Sequence, residues 1–254
     1  MFTGIVQGIA ELIKIENMQG HNKFFLRIPQ DHTSGLEPGA SVSIDGVCLT
    51  VTSLKDGLTE FDVVTNSLSV TKLDKVLEGD WLNYERAMMA GSEVGGHILS
   101  GHIDCTGVVL DVVTTNQSFG LVIRFDPKWA RFLFNKGFVG VNGASLTLSE
   151  VDKSKFEFKC WIIPETLRRT NFPSLEIGTV VNIEIDRETQ VIVETISAIA
   201  EVKFASLIER LELTMMRKDF VKYENSLLIG IIDDSSAALN CAKHNVGDNT
   251  SDEA

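Results

Sequence analysis

The chain has 254 residues, 44% of them hydrophobic and 23% charged, an ordinary globular composition with room for two cores. A net charge of −12 without any Lys/Arg cluster leaves no basic stripe to neutralise phosphates, which excludes nucleic acid and anionic membrane surfaces as partners. No run of about 18 apolar residues occurs, and the first lysine is Lys14, so the amino end lacks a basic n-region and the expected location is cytoplasmic.

Thr3-Gly4-Ile5-Val6 at the amino end returns 97 residues on as Ser100-Gly101-His102-Ile103. A short helix is predicted around Asp31 to Gly35. Ser41 to Asp45 alternates as a half-buried strand does. The next block, Gly46-Val47-Cys48-Leu49-Thr50-Val51, recurs at the same displacement as Gly143-Ala144-Ser145-Leu146-Thr147-Leu148. Leu58 to Val64 alternates in turn. Ser67-Leu68 with Thr71 is echoed by Thr166-Leu167 with Thr170, and Gly79 with Asn83 by Gly178 with Asn182, each now 99 residues on, so two residues are inserted between the blocks.

Ala87 to Glu93 is a small-residue stretch with no strong period and marks the join. His97 and His102 are expected on opposite faces of a strand, which is not a zinc-helix spacing, so no metal is called for. Pro127 to Leu133 reads as a short helix with proline in its first turn, and Lys155 to Ile163 as a strand. Ile192, Ile196 and Ile199, then Phe204, Ile208 and Leu211, fall at helical spacings that suit packing against partner chains. An apolar run, Leu227 to Ile232, and polar residues 248–254 that read as disordered close the chain.

The prediction is therefore all-β with a C-terminal helix: two homologous antiparallel barrels at 1–90 and 91–187, a helix at 188–216 and an extra tail at 217–254. Duplicated pockets suggest two copies of one ligand. Cys48, Cys105, Cys160 and Cys241 form no C-x-x-C pair and read as reduced thiols. Cys48 is a candidate nucleophile or a small buried hydrophobe. His102, whose counterpart is Ile5, is a candidate acid or base in one pocket only, or a structural histidine. Lys136 is a ligand donor or a surface charge, while Thr50 and Thr147 bond a flat heterocycle or satisfy strand ends.

The blocks Met1 to Val6, Gly46 to Val51, Gly95-Gly96-His97 with Ser100-Gly101-His102, Lys136-Gly137-Phe138, Ser145-Leu146-Thr147 and Pro164-Glu165-Thr166-Leu167 together resemble the riboflavin synthase family over roughly residues 1 to 200. The resemblance implies two six-stranded Greek-key barrels per chain and a trimer joined by the C-terminal helix. It implies a dismutation of two 6,7-dimethyl-8-ribityllumazine molecules to riboflavin, with no cofactor, between the first barrel of one chain and the second barrel of its neighbour. Lumazine synthase, the preceding enzyme, is a candidate partner.

Carried onto this sequence, the first pocket comprises Cys48, Leu49 and Thr50, the strand Asp62, Val63, Val64, Thr65, Asn66 and Ser67, and Gly101, His102 and Ile103, with Lys136 reaching in. The second comprises Ser145, Leu146 and Thr147, then Trp161, Ile162, Ile163, Pro164, Glu165 and Thr166, with Gly4, Ile5 and Val6. Cys48, His102, Ser41 and Asp186 match positions with catalytic influence. Two positions depart from the family: Asn66 stands for a glutamate, which puts first-pocket affinity in doubt, and Asn142 for an aspartate. The same fold includes lumazine proteins that bind a lumazine or flavin without turning it over, the alternative reading.

Overall fold

The computed structural model describes residues 1–115 and 118–244. Strands β1 (Gly8–Met18), β2 (His21–Arg27), β3 (Ser41–Ile44), β4 (Val47–Lys55), β5 (Leu58–Val64) and β6 (Trp81–Arg86) close into a barrel in the order β1-β2-β5-β4-β3-β6. Strands β7 (Cys105–Thr114), β8 (Phe119–Arg124), β9 (Phe138–Val141), β10 (Ala144–Asp152), β11 (Glu157–Ile162) and β12 (Val180–Ile185) close a second barrel with the same connectivity. In each, a meander of three strands is followed across the sheet by the strand that preceded it, the Greek-key pattern. The copies agree in detail. Register shifts fall between Leu12 and Lys14 and between Val51 and Ser53 in the first barrel, and at the corresponding Val109/Asp111 and Leu148/Glu150 in the second.

The strands form because their apolar residues alternate into the barrels. Val47, Leu49 and Val51 of β4 are buried while Cys48 is half-buried and Thr50 exposed. On β10, Ala144, Leu146 and Leu148 are buried, Ser145 is half-buried and Thr147 exposed. Both strands are entered through tight turns with positive φ at two residues, Asp45 (44°) and Gly46 (86°), then Asn142 (44°) and Gly143 (80°). Asp-Gly and Asn-Gly both suit such a hairpin turn, so the Asn142 departure is tolerated by the backbone.

The barrels meet across a local two-fold arrangement. Asn83 Nδ2 donates to Asn142 O (2.9 Å) and Asn182 Nδ2 to Asp45 O (2.8 Å). Lys72 N donates to Asn182 Oδ1 and Asn171 N to Asn83 Oδ1, each at 2.7 Å. At the centre, a Cβ on Gly46 would stand 2.8 Å from Gly143 N, and a Cβ on Gly143 would stand 2.8 Å from Gly46 N. One difference breaks the symmetry: Lys72 Nζ pairs with buried Asp45 Oδ2 at 2.6 Å, whereas the second copy has the neutral Asn171 and Asn142.

Between strands, α1 (Gln30–Thr33), α2 (Thr65–Val70), α3 (Pro164–Arg169) and 3-10 turns at Pro127–Phe132 and elsewhere replace or trim the expected elements. The segment Asp62 to Ser67 is not all strand: β5 ends at Val64 and α2 begins at Thr65, as α3 begins at Pro164 after β11. His97 and His102 lie in non-strand chain, where only Leu99 bridges Phe2. Glycines Gly95, Gly96 and Gly101 break the extended run that their spacing had suggested.

The helix α4 runs over Arg187–His244 and is capped by Asp186, which accepts from Thr189 N and Oγ1. It passes through the expected stop at 216, since the following residues hold good helix formers and no proline. The apolar Leu227 to Ile232 lies within it; the polar residues 248–254 fall outside the described residues. The barrels and the start of α4 form one unit, Met1–Val193. Within the rest of the helix Ile196, Ile199, Phe204, Ile208 and Leu211 are exposed. Among the described residues no helix is long and apolar enough to cross a membrane.

Candidate active site

The pleat sends Cys48 and Thr50 outward on β4, and Ser145 and Thr147 outward on β10. Each strand is then covered by the glycine block that opens the other repeat. Ser145 N donates to Gly4 O and Cys48 N to Gly101 O, both at 2.8 Å. A Cβ on Gly4 (φ +73°) or on Gly101 (φ +82°) would stand 2.5 Å from the Cβ of Ser145 or Cys48, so neither position admits a side chain. Val6 is buried in the second barrel's core, and Ile103 packs on the first. The amino-terminal block thus closes the second site and its repeat the first.

Two buried glutamates hold these blocks. Glu85 accepts from Thr3 N (2.6 Å), Thr3 Oγ1 (2.7 Å) and Gly4 N (3.1 Å); Glu184 accepts from Ser100 N, Ser100 Oγ and Gly101 N at the same three distances. Burial raises both carboxyls above their ordinary range, and the three donors pull the other way.

At the second site a cleft of about 430 Å³ is lined by Gly4, Ile5, Ser145, Ile163, Glu165, Thr166 and Arg169 among others. Glu165 pairs with Arg168 and Arg169, and the Arg169 side-chain bond is the main cause that lowers its pKa. Trp161 is half-exposed with Lys159 Nζ 4.3 Å from its ring centroid. His97, which sequence reasoning weighed only as a metal ligand, also belongs here. Its Nδ1 lies 2.6 Å from Ser145 Oγ, its N–H donates to the same oxygen at 3.1 Å, and its ring stacks on Phe138. Burial lowers its pKa, so the ring is neutral near pH 7.

At the first site Ser41 pairs with Thr50 across β3 and β4, beside Cys48. His102 is exposed; its N–H donates to Ser100 Oγ and its carbonyl accepts from Arg187 Nη2 at 3.0 Å. Arg187 Nη1 also meets Asp104 Oδ1 at 3.0 Å, tying this block to the start of α4. Asp62 pairs with Lys23, Thr65 Oγ1 donates to Gly20 O, and Ser67 O accepts from Thr71 Oγ1. Asn66 replaces Glu165, but its helix also lacks the arginines, with Ser69 and Val70 in their places. The helix α2 itself carries no Arg or Lys for a carboxylate at this position to pair with. Cys105 and Cys160 are buried, which pushes both thiols up to about 12, so Cys48 is the most accessible of the described cysteines.

Some expected contacts do not form within the chain. Lys136 sits on the second barrel, its N–H donating to Leu148 O, and no described contact joins it to Cys48. Leu49, Val63, Leu146 and Ile162 point into the cores and reach a site only through their backbones. Asp186 caps α4 through Thr189, and no described hydrogen bond joins it to Cys48.

The chain is thus a duplicated Greek-key barrel with a hydroxyl or thiol and a threonine turned outward on the same strand of each copy. A family model described as lumazine binding domain matches residues 3–87 and 100–186. The chain is 39% identical to riboflavin synthase of Escherichia coli (strain K12) over 200 residues, covering 78% of this chain and 93% of that one. It is 37% identical to riboflavin synthase of Buchnera aphidicola subsp. Baizongia pistaciae over 214 residues, 82% and 100%. Among solved structures, LumP complexed with riboflavin superposes with a TM-score of 0.69 at 24% identity, covering 74% of this chain and 100% of LumP, a likeness of fold. The chain belongs to the riboflavin synthase family.

Proposed function

We propose that this chain dismutates two molecules of 6,7-dimethyl-8-ribityllumazine, one giving a four-carbon unit to the other, to yield riboflavin and 5-amino-6-(D-ribitylamino)uracil. The observation that carries the reading is the duplicated site, in which Cys48 and Ser145 occupy equivalent strands, each closed by a glycine block at equal distances. A reaction between two identical molecules calls for two like pockets, and its atoms balance without an oxidant. His102, exposed on the Gly101 block, takes the proton from the acidic 7-methyl group of one lumazine. Cys48, with Ser41 and Thr50 beside it, supplies or orients the nucleophile that adds to the other. Holding the two rings in register supplies most of the acceleration, since oriented pairs reach effective molarities of roughly 10⁵ to 10⁸ M.

Val64, Phe138, Trp161 and Ile163 remain exposed around the two sites, and the isoleucine face of α4 is exposed as well. A trimer in which the first barrel of one chain meets the second barrel of the next covers these surfaces and brings Lys136 to a first pocket that its own chain does not let it reach. In the assay, purified protein mixed with 6,7-dimethyl-8-ribityllumazine yields one riboflavin for every two lumazines consumed, and Cys48→Ala or His102→Ala slows turnover without abolishing it. Binding with a fluorescence shift but no riboflavin would sink the catalytic reading.

A further inference from the structure

We propose that His97 is a positioning residue that fixes the Ser145 hydroxyl as a single, directed contact for the ligand of the second pocket, and so makes the two pockets unequal. This rests on the reading that the cleft beside Ser145 holds a lumazine or flavin ring. A serine hydroxyl has one donor and two acceptor capacities. His97 takes two of the three, one through its N–H at 3.1 Å and one through Nδ1 at 2.6 Å. Only one remains for a ligand in the cleft that Ser145 lines.

The imidazole is held through Nδ1 and through one ring face, while its buried Nε2 meets no described partner. It is 8% exposed, stacked on Phe138 with ring centroids 5.3 Å apart and 16° between planes. The residue before it must be glycine, because a Cβ on Gly96 would stand 2.6 Å from both Ser145 Cβ and Thr3 O. The first pocket has no such device. Ser41 stands where Phe138 does and offers no ring to stack on, and among the described hydrogen bonds none engages Cys48 Sγ. A rotating thiol therefore faces one ligand and a locked hydroxyl the other, which costs the second pocket less ordering when it binds.

The test is a binding cycle on the full chain with riboflavin as probe, beside steady-state turnover. His97→Phe keeps a ring on Phe138 but deletes Nδ1; we expect it to weaken riboflavin binding about tenfold, the worth of one hydrogen bond. His97→Asn places an amide near the Nδ1 position and should recover affinity to within about threefold of the parent. Ser145→Ala with His97→Phe should bind no more weakly than Ser145→Ala alone, because one acts through the other. If the phenylalanine chain does not fold, His97→Gln, whose amide lies one methylene beyond Nδ1, takes its place in the cycle. Parental binding by His97→Phe, additive losses in the double variant, or recovery by phenylalanine and not by asparagine would each overturn the proposal. A parent that binds riboflavin but makes none from lumazine overturns the catalytic reading alone, and one that binds neither molecule overturns both.

Discussion

At the scale of single residues, the sites are fixed by what cannot be there. Gly101 combines φ +82° with a Cβ position 2.5 Å from Cys48 Cβ and 2.8 Å from Phe2, whereas Gly91 has φ +86° and open space around it. Gly91→Ala should cost only the left-handed backbone penalty, about 1–2 kcal/mol; Gly101→Ala adds overpacking and should cost roughly 1–3 kcal/mol more in urea unfolding. Equal losses would show that the block yields. The glutamate pair gives a pH test. Because burial raises both carboxyls, the folded chain keeps protons that the unfolded chain has released, so their contribution to stability falls as pH rises from the ordinary carboxylate pKa to the raised one and is flat above it. The stability of the parent minus that of Glu85→Gln/Glu184→Gln should therefore fall as pH rises above the ordinary carboxylate range; a difference that grows there refutes the assignment. The outward placement of Cys48, Thr50, Ser145 and Thr147 was legible in strand alternation. The His97 contact was not, since its partner lies 48 residues away and Gly-Gly-His announces only a break in the chain.

At the scale of elements, the repeat was legible and its interruptions were not. The matched blocks located both β3–β4 and β9–β10 hairpins, while α2 was taken for the end of a strand and α3 was not foreseen, because Thr65 to Ser67 and Pro164 to Thr166 are too short to show a helical period. The turns before β4 and β10 explain why Asp45 and Asn142 can differ. The buried Asp45 carboxyl is paired by Lys72, and the second copy dispenses with both. Lys72→Met strands a buried carboxylate and should cost roughly 3–5 kcal/mol. Asp45→Asn with Lys72→Asn installs the neutral solution of the other repeat and should lie within about 1.5 kcal/mol of the parent, as a paired replacement does. A double variant no better than Lys72→Met would mean that the two halves are not interchangeable at this point.

At the scale of the whole molecule, α4 is where the proposed trimer can be tested. Its first turn reaches the Gly101 block through Arg187, and its isoleucine face is exposed. Ile196→Asp with Ile199→Asp should leave the barrels folded but give a monomer by sedimentation, with turnover reduced in step; an active monomer would remove the need for a shared site. The helical spacing from Ile192 to Leu211 made this face readable, whereas the continuation to His244 had no repeated counterpart to calibrate it. The meeting of Gly46 with Gly143 has a consequence for descent. When two separate copies of a chain pair about an axis, one codon writes both pockets, and any change that favours one occupant is imposed on the other. Joined in one reading frame, the copies are free to drift apart. Cys48 against Ser145, Ser41 against Phe138 and Asn66 against Glu165 are the marks of that freedom.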